Sequence, residues 1–158
     1  MKGFVNIRID DRLIHGQVAN RWATGLHATR IMVIDDQVAN DPVQKPALRM
    51  AAPEGIATSI ITEEKAIANI KADKYANQRV LLVVKRPKVL LDLLDAGLTF
   101  DKVNIGNMSN RPDTTQVKKS VSLTDDERAD IKELLARGVN VTAVMVPDDP
   151  DVSIEKFL

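Results

Sequence analysis

The chain has 158 residues, of which 44% are hydrophobic, and it carries 22 basic side chains, 22 acidic side chains and no cysteine. This length and composition predict one domain with a full core, and the balanced charge excludes the basic field typical of nucleic-acid-binding proteins. The cysteine count excludes disulfides and thiolate catalysis, and no stretch approaches the ~20 apolar residues that span a bilayer.

Short β-rich segments alternate with helical patterns along the chain, which is typical of an α/β layered fold. We predict strands at residues 4–9, 30–34, 57–61, 80–84, 102–105 and 139–146, with a further short strand at 117–121. Several of these segments are continuous runs of Val, Ile and Leu, as expected for strands covered on both faces. The sequence therefore predicts a three-layer fold, with a central, mostly parallel sheet of about six or seven strands flanked by helices on both faces.

Capping residues mark the predicted helices between these strands. The N-terminal signals are Asp41 before Pro42, Thr62, Pro87 and the pair Thr124 and Glu127, and the helix-ending glycines are Gly25, Gly97 and Gly138. Pro46 should delay or kink the helix that follows Asp41. Trp22 and Met50 are expected in the core. Apart from the short strand at 117–121, residues 108–123 form the longest segment that fits no regular element.

The most informative segment is residues 8–18, Arg-Ile-Asp-Asp-Arg-Leu-Ile-His-Gly-Gln-Val, at a predicted strand-to-helix junction. Ligands of open α/β sheets bind beyond the carboxyl ends of strands, which is where this segment lies. A helix over 17–24 places His15 and Gly16 at its N-terminus, where backbone N–H groups and the helix dipole stabilise a phosphate and favour a neutral ring. We therefore predict that His15 accepts and releases a phosphoryl group.

The neighbours of His15 are suited to support that chemistry. Arg12 can place two donors on a phosphoryl group, and Asp10 can orient the other ring nitrogen or hold Arg12. The predicted catalytic residues are His15, Arg12 and Asp10, and the further phosphate-binding candidates are Arg8, Gly16, Gln17, Asn104 and Gly106. Asn104 and Gly106 lie at the end of another predicted strand, near the same crevice, and a simple tight turn is an equal alternative for them.

Other interpretations of these residues stay open at this point. His15 alone could be a structural histidine at a helix cap, and the charged cluster alone could be a solvated salt-bridge network. His27, the only other histidine in the sequence, is expected at the surface. A receiver-like regulatory domain phosphorylated on aspartate is a second class, suggested by Asp35 and Asp36 after the second strand. A non-catalytic ligand-binding module is a third, although no Walker or G-x-G-x-x-G motif indicates a nucleotide.

Taken together, the motifs resemble the IIB subunit of the mannose, fructose and sorbose family of the bacterial sugar phosphotransferase system. The resemblance runs nearly end to end and rests on residues 8–18, 30–34, 51–53, 104–106 and 119–123. Asn107 stands where family members commonly have a second glycine, and residues 44–46 replace a segment that is commonly more basic.

The resemblance implies a single IIB domain over residues 1–158 that acts as a protein-phosphohistidine–sugar phosphotransferase without a cofactor or metal. The residue matching His15 carries the phosphohistidine, and those matching Arg12 and Asp10 belong to the active-site loop. The implied donor is a phosphorylated IIA protein or domain, and the implied acceptor is a sugar held by the membrane subunits IIC and IID. These partners imply a cytoplasmic protein held peripherally at the membrane, and a homo-oligomer is left open.

Arg12, Arg8, Arg111, Lys118 and Lys119 are predicted to meet an acidic surface of IIA, the last three from their charge alone.

Overall fold

The computed structural model describes the backbone of residues 1–158 and all side chains other than those at positions 17 and 18. Its elements are β1 (Phe4–Asp10), α1 (Gly16–Gly25), β2 (Arg30–Ile34), α2 (Asp36–Ala39), α3 (Gln44–Ala51), β3 (Ala57–Ile61), α4 (Glu63–Lys71), β4 (Val80–Val84), α5 (Pro87–Asp95), β5 (Lys102–Asn107), β6 (Thr115–Lys118), β7 (Val121–Leu123), α6 (Asp125–Ala136) and β8 (Asn140–Thr142), followed by a short 3-10 helix over Glu155–Phe157.

Within the described backbone, a parallel sheet of six strands has the order β3-β2-β4-β1-β5-β8, and β6 and β7 form a separate antiparallel hairpin. Strand β1 lies inside the sheet, where Ile9 pairs with Val84 of β4 and with Ile105 of β5. All five residues of β4 are buried, because helices cover both faces of the sheet. The predicted three-layer α/β fold is therefore confirmed.

The helices divide between the two faces of the sheet. The core on one face includes Trp22 of α1 and Leu48 of α3, and the core on the other face includes Leu90 of α5 and Ile131 of α6. The connection after β1 runs over the first face of the sheet and the connection after β4 runs over the second, although β1 and β4 are neighbouring strands. Such a change of direction creates a crevice at the carboxyl ends of the strands. Across the described residues, the helices are all too short or too polar to cross a membrane.

Two strand predictions are wrong in the C-terminal half of the chain. The strand predicted at 139–146 spans only Asn140–Thr142, because the chain then leaves the ladder and its carbonyl groups at Val144 and Met145 bind a side chain of β1. The strand predicted at 117–121 is instead interrupted by the hairpin turn at residues 119–120. The segment 108–123, which fits no element in the sequence, contains this hairpin.

Most helix signals are confirmed, and the exceptions have local reasons. The Thr124 and Glu127 capping box is formed, and Pro46 falls in the first turn of α3, whose start is delayed to Gln44. Helix α1 ends at Gly25, as predicted, and the left-handed residue that follows it is the exposed His27, with φ 52°.

The prediction that Met50 belongs to the core is wrong. Its side chain is 86% exposed. Leu48 and Ala51 take the inner face of α3, and the helical period therefore turns Met50 toward solvent.

Candidate active site

The loop between β1 and α1 is fixed by two apolar anchors. Leu13 donates its N–H to the Asp10 carbonyl at 2.9 Å and has φ 60°, a left-handed conformation that costs roughly 1–2 kcal/mol. Leu13 and Ile14 are both buried, and burial of one such side chain contributes about 1.5–3 kcal/mol, which offsets this strain. The side chains of Arg12 and His15 remain 40% and 23% exposed, so the anchors present them at the rim of the crevice.

Asp10 lies at the centre of the site and is fully buried. Its Oδ2 accepts hydrogen bonds from Arg8 Nε and Nη2 at 3.2 and 3.1 Å. Arg12 donates from Nη2 to Oδ2 at 3.0 Å and from Nε to Oδ1 at 3.0 Å. The His15 Nε2 atom lies 3.2 Å from the same Oδ2. Three basic side chains therefore converge on one carboxylate.

The charge state of Asp10 sets the tautomer of His15. Burial alone would raise the pKa of Asp10, but hydrogen bonds from His15 and Arg12 and the charge of Arg8 outweigh it and lower this pKa to about 2. An ionised carboxylate only accepts hydrogen bonds, so a neutral ring pairs with it by carrying its single proton on Nε2. The Nδ1 atom of His15 is then left with the lone pair that a nucleophile needs.

Arg8 fills a closed slot behind Asp10. Its Nη1 and Nη2 donate to the carbonyl oxygens of Val144 and Met145 at 3.3 and 3.2 Å, and its guanidinium lies 4.9 Å from the Trp22 ring centroid. The slot exists because position 106 is glycine: a Cβ added to Gly106 would lie 1.9 Å from Arg8 Cζ. Arg8 is thus committed to contacts within the protein and holds the buried carboxylate in place.

Asn104 lies beside this slot and is also buried. Its Nδ2 donates to the Val144 carbonyl at 2.8 Å, while its Oδ1 accepts from the Val144 N–H at 2.8 Å and from Thr142 Oγ1 at 3.2 Å. These bonds attach the segment after β8 to β5. Asn104 and Gly106 therefore lie behind the rim that presents His15.

A second charged cluster adjoins the loop at Asp11. The Asp11 carboxylate accepts from the Ser109 N–H and from Asn107 Nδ2, each at 2.8 Å. Arg86, which follows β4, places Nη1 at 3.7 Å from Asp11 Oδ2 and Nε at 3.2 Å from Glu127 Oε2. Asn107 thus ties the end of β5 to the loop after β1.

Glu127 closes this cluster from the N-terminus of α6. It also receives both terminal nitrogens of Arg111 at 3.1 Å. Burial would raise the pKa of Glu127, but the Thr124 N–H and the Arg111 guanidinium outweigh it and keep this pKa below its usual value.

Sequence reasoning missed Arg86 and Asp11 as partners. The available signal was the position of each residue relative to its strand. Asp11 lies two residues beyond Ile9 of β1, Arg86 lies two residues beyond Val84 of β4, and Ile9 pairs with Val84. Using that signal requires the order of the strands in the sheet.

The remaining predicted residues have defined positions. Gly16 is the exposed first residue of α1, and the side chain of Gln17 lies outside the described residues. Arg111 is engaged by Glu127, and Lys118 donates to the Ala143 carbonyl at 3.4 Å. Lys119 is exposed on the hairpin turn. The structure thus brings His15, Arg12, Asp10 and Arg8 together and sets the lysines on the hairpin.

Comparison with known proteins gives consistent matches over almost the whole chain. A family model described as "PTS system sorbose subfamily IIB component" matches residues 4–158. The sorbose-specific EIIB component of Lacticaseibacillus casei is 38% identical, covering 93% of this chain and 90% of the relative. The mannose-specific EIIAB component of Escherichia coli (strain K12) is also 38% identical, covering 93% of this chain and 46% of the relative.

A solved structure gives the same picture. The IIBSor domain of the sorbose permease from Klebsiella pneumoniae has a TM-score of 0.94 at 36% identity, covering 99% of this chain and 96% of that one. The similarity therefore extends from the site loop to the complete fold.

Proposed function

The chain belongs to the sorbose subfamily of PTS IIB components, and on that premise we propose that it is the phosphocarrier of a bacterial sugar phosphotransferase system. A phosphohistidine of a IIA protein passes its phosphoryl group to His15, which then passes it to a sugar held by the membrane subunits IIC and IID. The observation that carries the proposal is the placement of His15 at the crevice rim, 3.2 Å from the ionised Asp10 and beside Arg12.

In the first transfer, Nδ1 of His15 attacks the phosphorus as its bond to the donor nitrogen breaks. Asp10 holds the ring in the required tautomer through Nε2 and stabilises the charge that the ring acquires. In the second transfer, a sugar hydroxyl oxygen attacks the phosphorus, the bond to Nδ1 breaks and the hydroxyl proton passes to water. Both steps depend mainly on positioning and on stabilising charge.

Cationic and backbone groups near His15 supply that stabilisation. Arg12 is partly exposed and its guanidinium can move donors from Asp10 to the phosphoryl oxygens. The N-terminus of α1 at residues 16–18 offers backbone N–H groups and the positive end of the helix dipole. Arg8 is buried behind Asp10, and we infer that it positions the carboxylate without contacting the phosphoryl group.

Asn104 and Gly106 have supporting roles in this proposal. Asn104 attaches the segment after β8, and Gly106 leaves the space that Arg8 occupies.

A carrier that serves two protein partners needs its histidine on an open surface. The 23% exposure of the His15 side chain fits this requirement, and the EIIAB name of the mannose-specific relative supports a IIA protein as the donor. In this proposal, residues 1–158 act as a single cytoplasmic IIB domain that docks to IIC and IID at the membrane.

The aspartate-phosphorylated alternative has less support from the site. The Asp35 carboxylate accepts from the Val38 N–H at 2.9 Å, and the Asp36 carboxylate accepts from the Glu63 N–H at 2.8 Å. Both side chains therefore cap helices. A ligand-binding module without phosphoryl transfer would leave the three-way contact at Asp10 without a function.

The test is to incubate the protein with phosphorylated IIA and follow the covalently bound phosphate. The wild type and the matched control His27→Asn, which alters the other histidine, should both be labelled, and His15→Ala should not. The bound phosphate should be labile in acid and stable in alkali, as a phosphohistidine is. Labelling of the His15→Ala protein, or an alkali-labile phosphate, would overturn the proposal.

A further inference from the structure

Arg86 occupies a position that the proposed function does not use. It follows β4, which pairs with β1 at Ile9 and Val84, so that the next two residues of each strand bring Arg86 opposite Asp11. Its side chain is 33% exposed and also donates from Nη1 to the Lys85 carbonyl at 3.0 Å. The guanidinium therefore forms the wall of the crevice beside the loop that carries Arg12 and His15.

The two carboxylates that face Arg86 are both shielded from solvent. The side chain of Asp11 is 10% exposed and that of Glu127 is 9% exposed. Glu127 has a second cation in Arg111, whereas among the described side chains Arg86 is the one cation in ion-pair contact with Asp11. Shielding a carboxylate from solvent costs free energy unless an opposite charge compensates it. Asp11, the carboxylate concerned, is the residue next to Asp10.

The charge on Asp11 also bears on phosphoryl transfer. Arg8 and Arg12 offset Asp10, but a phosphoryl group that arrives at His15 brings further negative charge to the loop that also carries Asp11. An uncompensated Asp11 would repel that group, and like charges act strongly where solvent is limited. Asp11 also fixes the loop, because it holds the Ser109 N–H at 2.8 Å.

We infer that Arg86 is a further positioning residue of the transfer reaction, which neutralises Asp11 and keeps the loop of Arg12 and His15 in its working geometry. This inference rests on the proposed function and adds a residue from outside the loop to it. Arg86 acts through Asp11 and does not contact the phosphoryl group. It should therefore affect the maximal rate of transfer, and leave the concentration of phosphorylated IIA needed for half-maximal rate unchanged.

The experiment measures single-turnover phosphoryl uptake from phosphorylated IIA by the wild type, Arg86→Gln, Asp11→Asn and the double variant. Arg86→Gln should lower the maximal rate about three- to tenfold, a range typical of coupled charged neighbours. The same change in the Asp11→Asn protein should cost less than about twofold, because the charge that Arg86 offsets is gone. The matched control is Arg137→Gln, since Arg137 is 35% exposed and also contacts two carboxylates, Asp95 and Glu133.

An unchanged rate for Arg86→Gln would overturn the inference, and so would an equal loss with and without the Asp11 carboxylate. A change confined to the half-maximal concentration would also overturn it, because that is the signature of partner binding. If Arg86→Gln does not fold, Arg86→Lys keeps the charge and should retain more than about half of the rate, and a larger loss contradicts the inference. Failure of the wild type to take up phosphate on His15 would instead count against the proposed function.

Discussion

Replacing Gly106 by alanine tests how far the site depends on the slot that holds Arg8. The added Cβ would lie 1.9 Å from Arg8 Cζ and 2.1 Å from Nη2. Both distances are far shorter than a van der Waals contact between heavy atoms. The Gly106 backbone belongs to β5 and is held by its ladder, so the guanidinium must move. Arg8 would then lose its contacts with Asp10, with the Val144 and Met145 carbonyls and with Trp22.

The expected cost follows from two contributions. Overpacking of a closed site costs about 1–3 kcal/mol, and the loss of a charged hydrogen bond at a buried carboxylate costs about 1.5–3 kcal/mol. We therefore expect Gly106→Ala to lower the free energy of unfolding by about 4 kcal/mol, a large part of the 5–15 kcal/mol of a typical domain.

Urea unfolding followed by the fluorescence of Trp22, the chain's single tryptophan, measures this change. Trp22 packs on Arg8 and donates to the Met145 carbonyl at 3.0 Å, so the emission of the folded variant should also change. The matched control is Gly16→Ala, where a Cβ would have no described atom within 4 Å and stability should not fall by more than about 0.5 kcal/mol. A Gly106→Ala protein as stable as the control, with wild-type emission, would refute the reasoning.

Further predictions concern the charges of the loop and of the opposite face. Arg12→Lys should slow phosphoryl uptake about tenfold, because an ammonium cannot place two parallel donors, and equal single-turnover rates would remove Arg12 from the site. The pKa of Asp10 is lowered to about 2. The ionised Asp10 therefore stabilises the fold by about 2 kcal/mol above pH ~4, and this contribution is lost as the pH falls toward ~2. Urea titrations should show this acid loss in the wild type and not in Asp10→Asn. Burial and the neighbouring Asp92 raise the pKa of Glu63 to about 7. The fold is therefore stable with Glu63 protonated, and this contribution to stability is lost as the pH rises through 7. Glu63→Gln should therefore be more stable than the wild type at pH ~8 and lose that advantage at pH ~5, and a constant difference would contradict this.

The parts of the fold that follow from local pattern were predictable. The continuous aliphatic run of β4 and the Thr124 and Glu127 capping box each depend on residues that are neighbours in sequence. The loop of Asp10, Arg12 and His15 is similarly local, because a strand end, a turn and a helix start lie within one short segment. For such elements the sequence and the structure agree.

Features that depend on distant contacts were less accessible. Strand β8 is short because the chain turns to meet Arg8, which lies in the first strand. The pairing of Arg86 with Asp11 requires the knowledge that β4 lies beside β1. Met50 shows a different limit, since hydrophobicity alone does not tell which side of a short helix faces the core.

The central claim is that His15 carries the phosphoryl group, and peptide mapping tests it most directly. Trypsin cleaves after Arg12 and Arg21, and the peptide 13–21 between them contains His15 and no serine, threonine, tyrosine, aspartate or glutamate. After incubation with phosphorylated IIA and digestion at alkaline pH, mass spectrometry should find the phosphoryl group on this peptide. A phosphoryl group found on any peptide that lacks His15, with peptide 13–21 unmodified, would contradict the account.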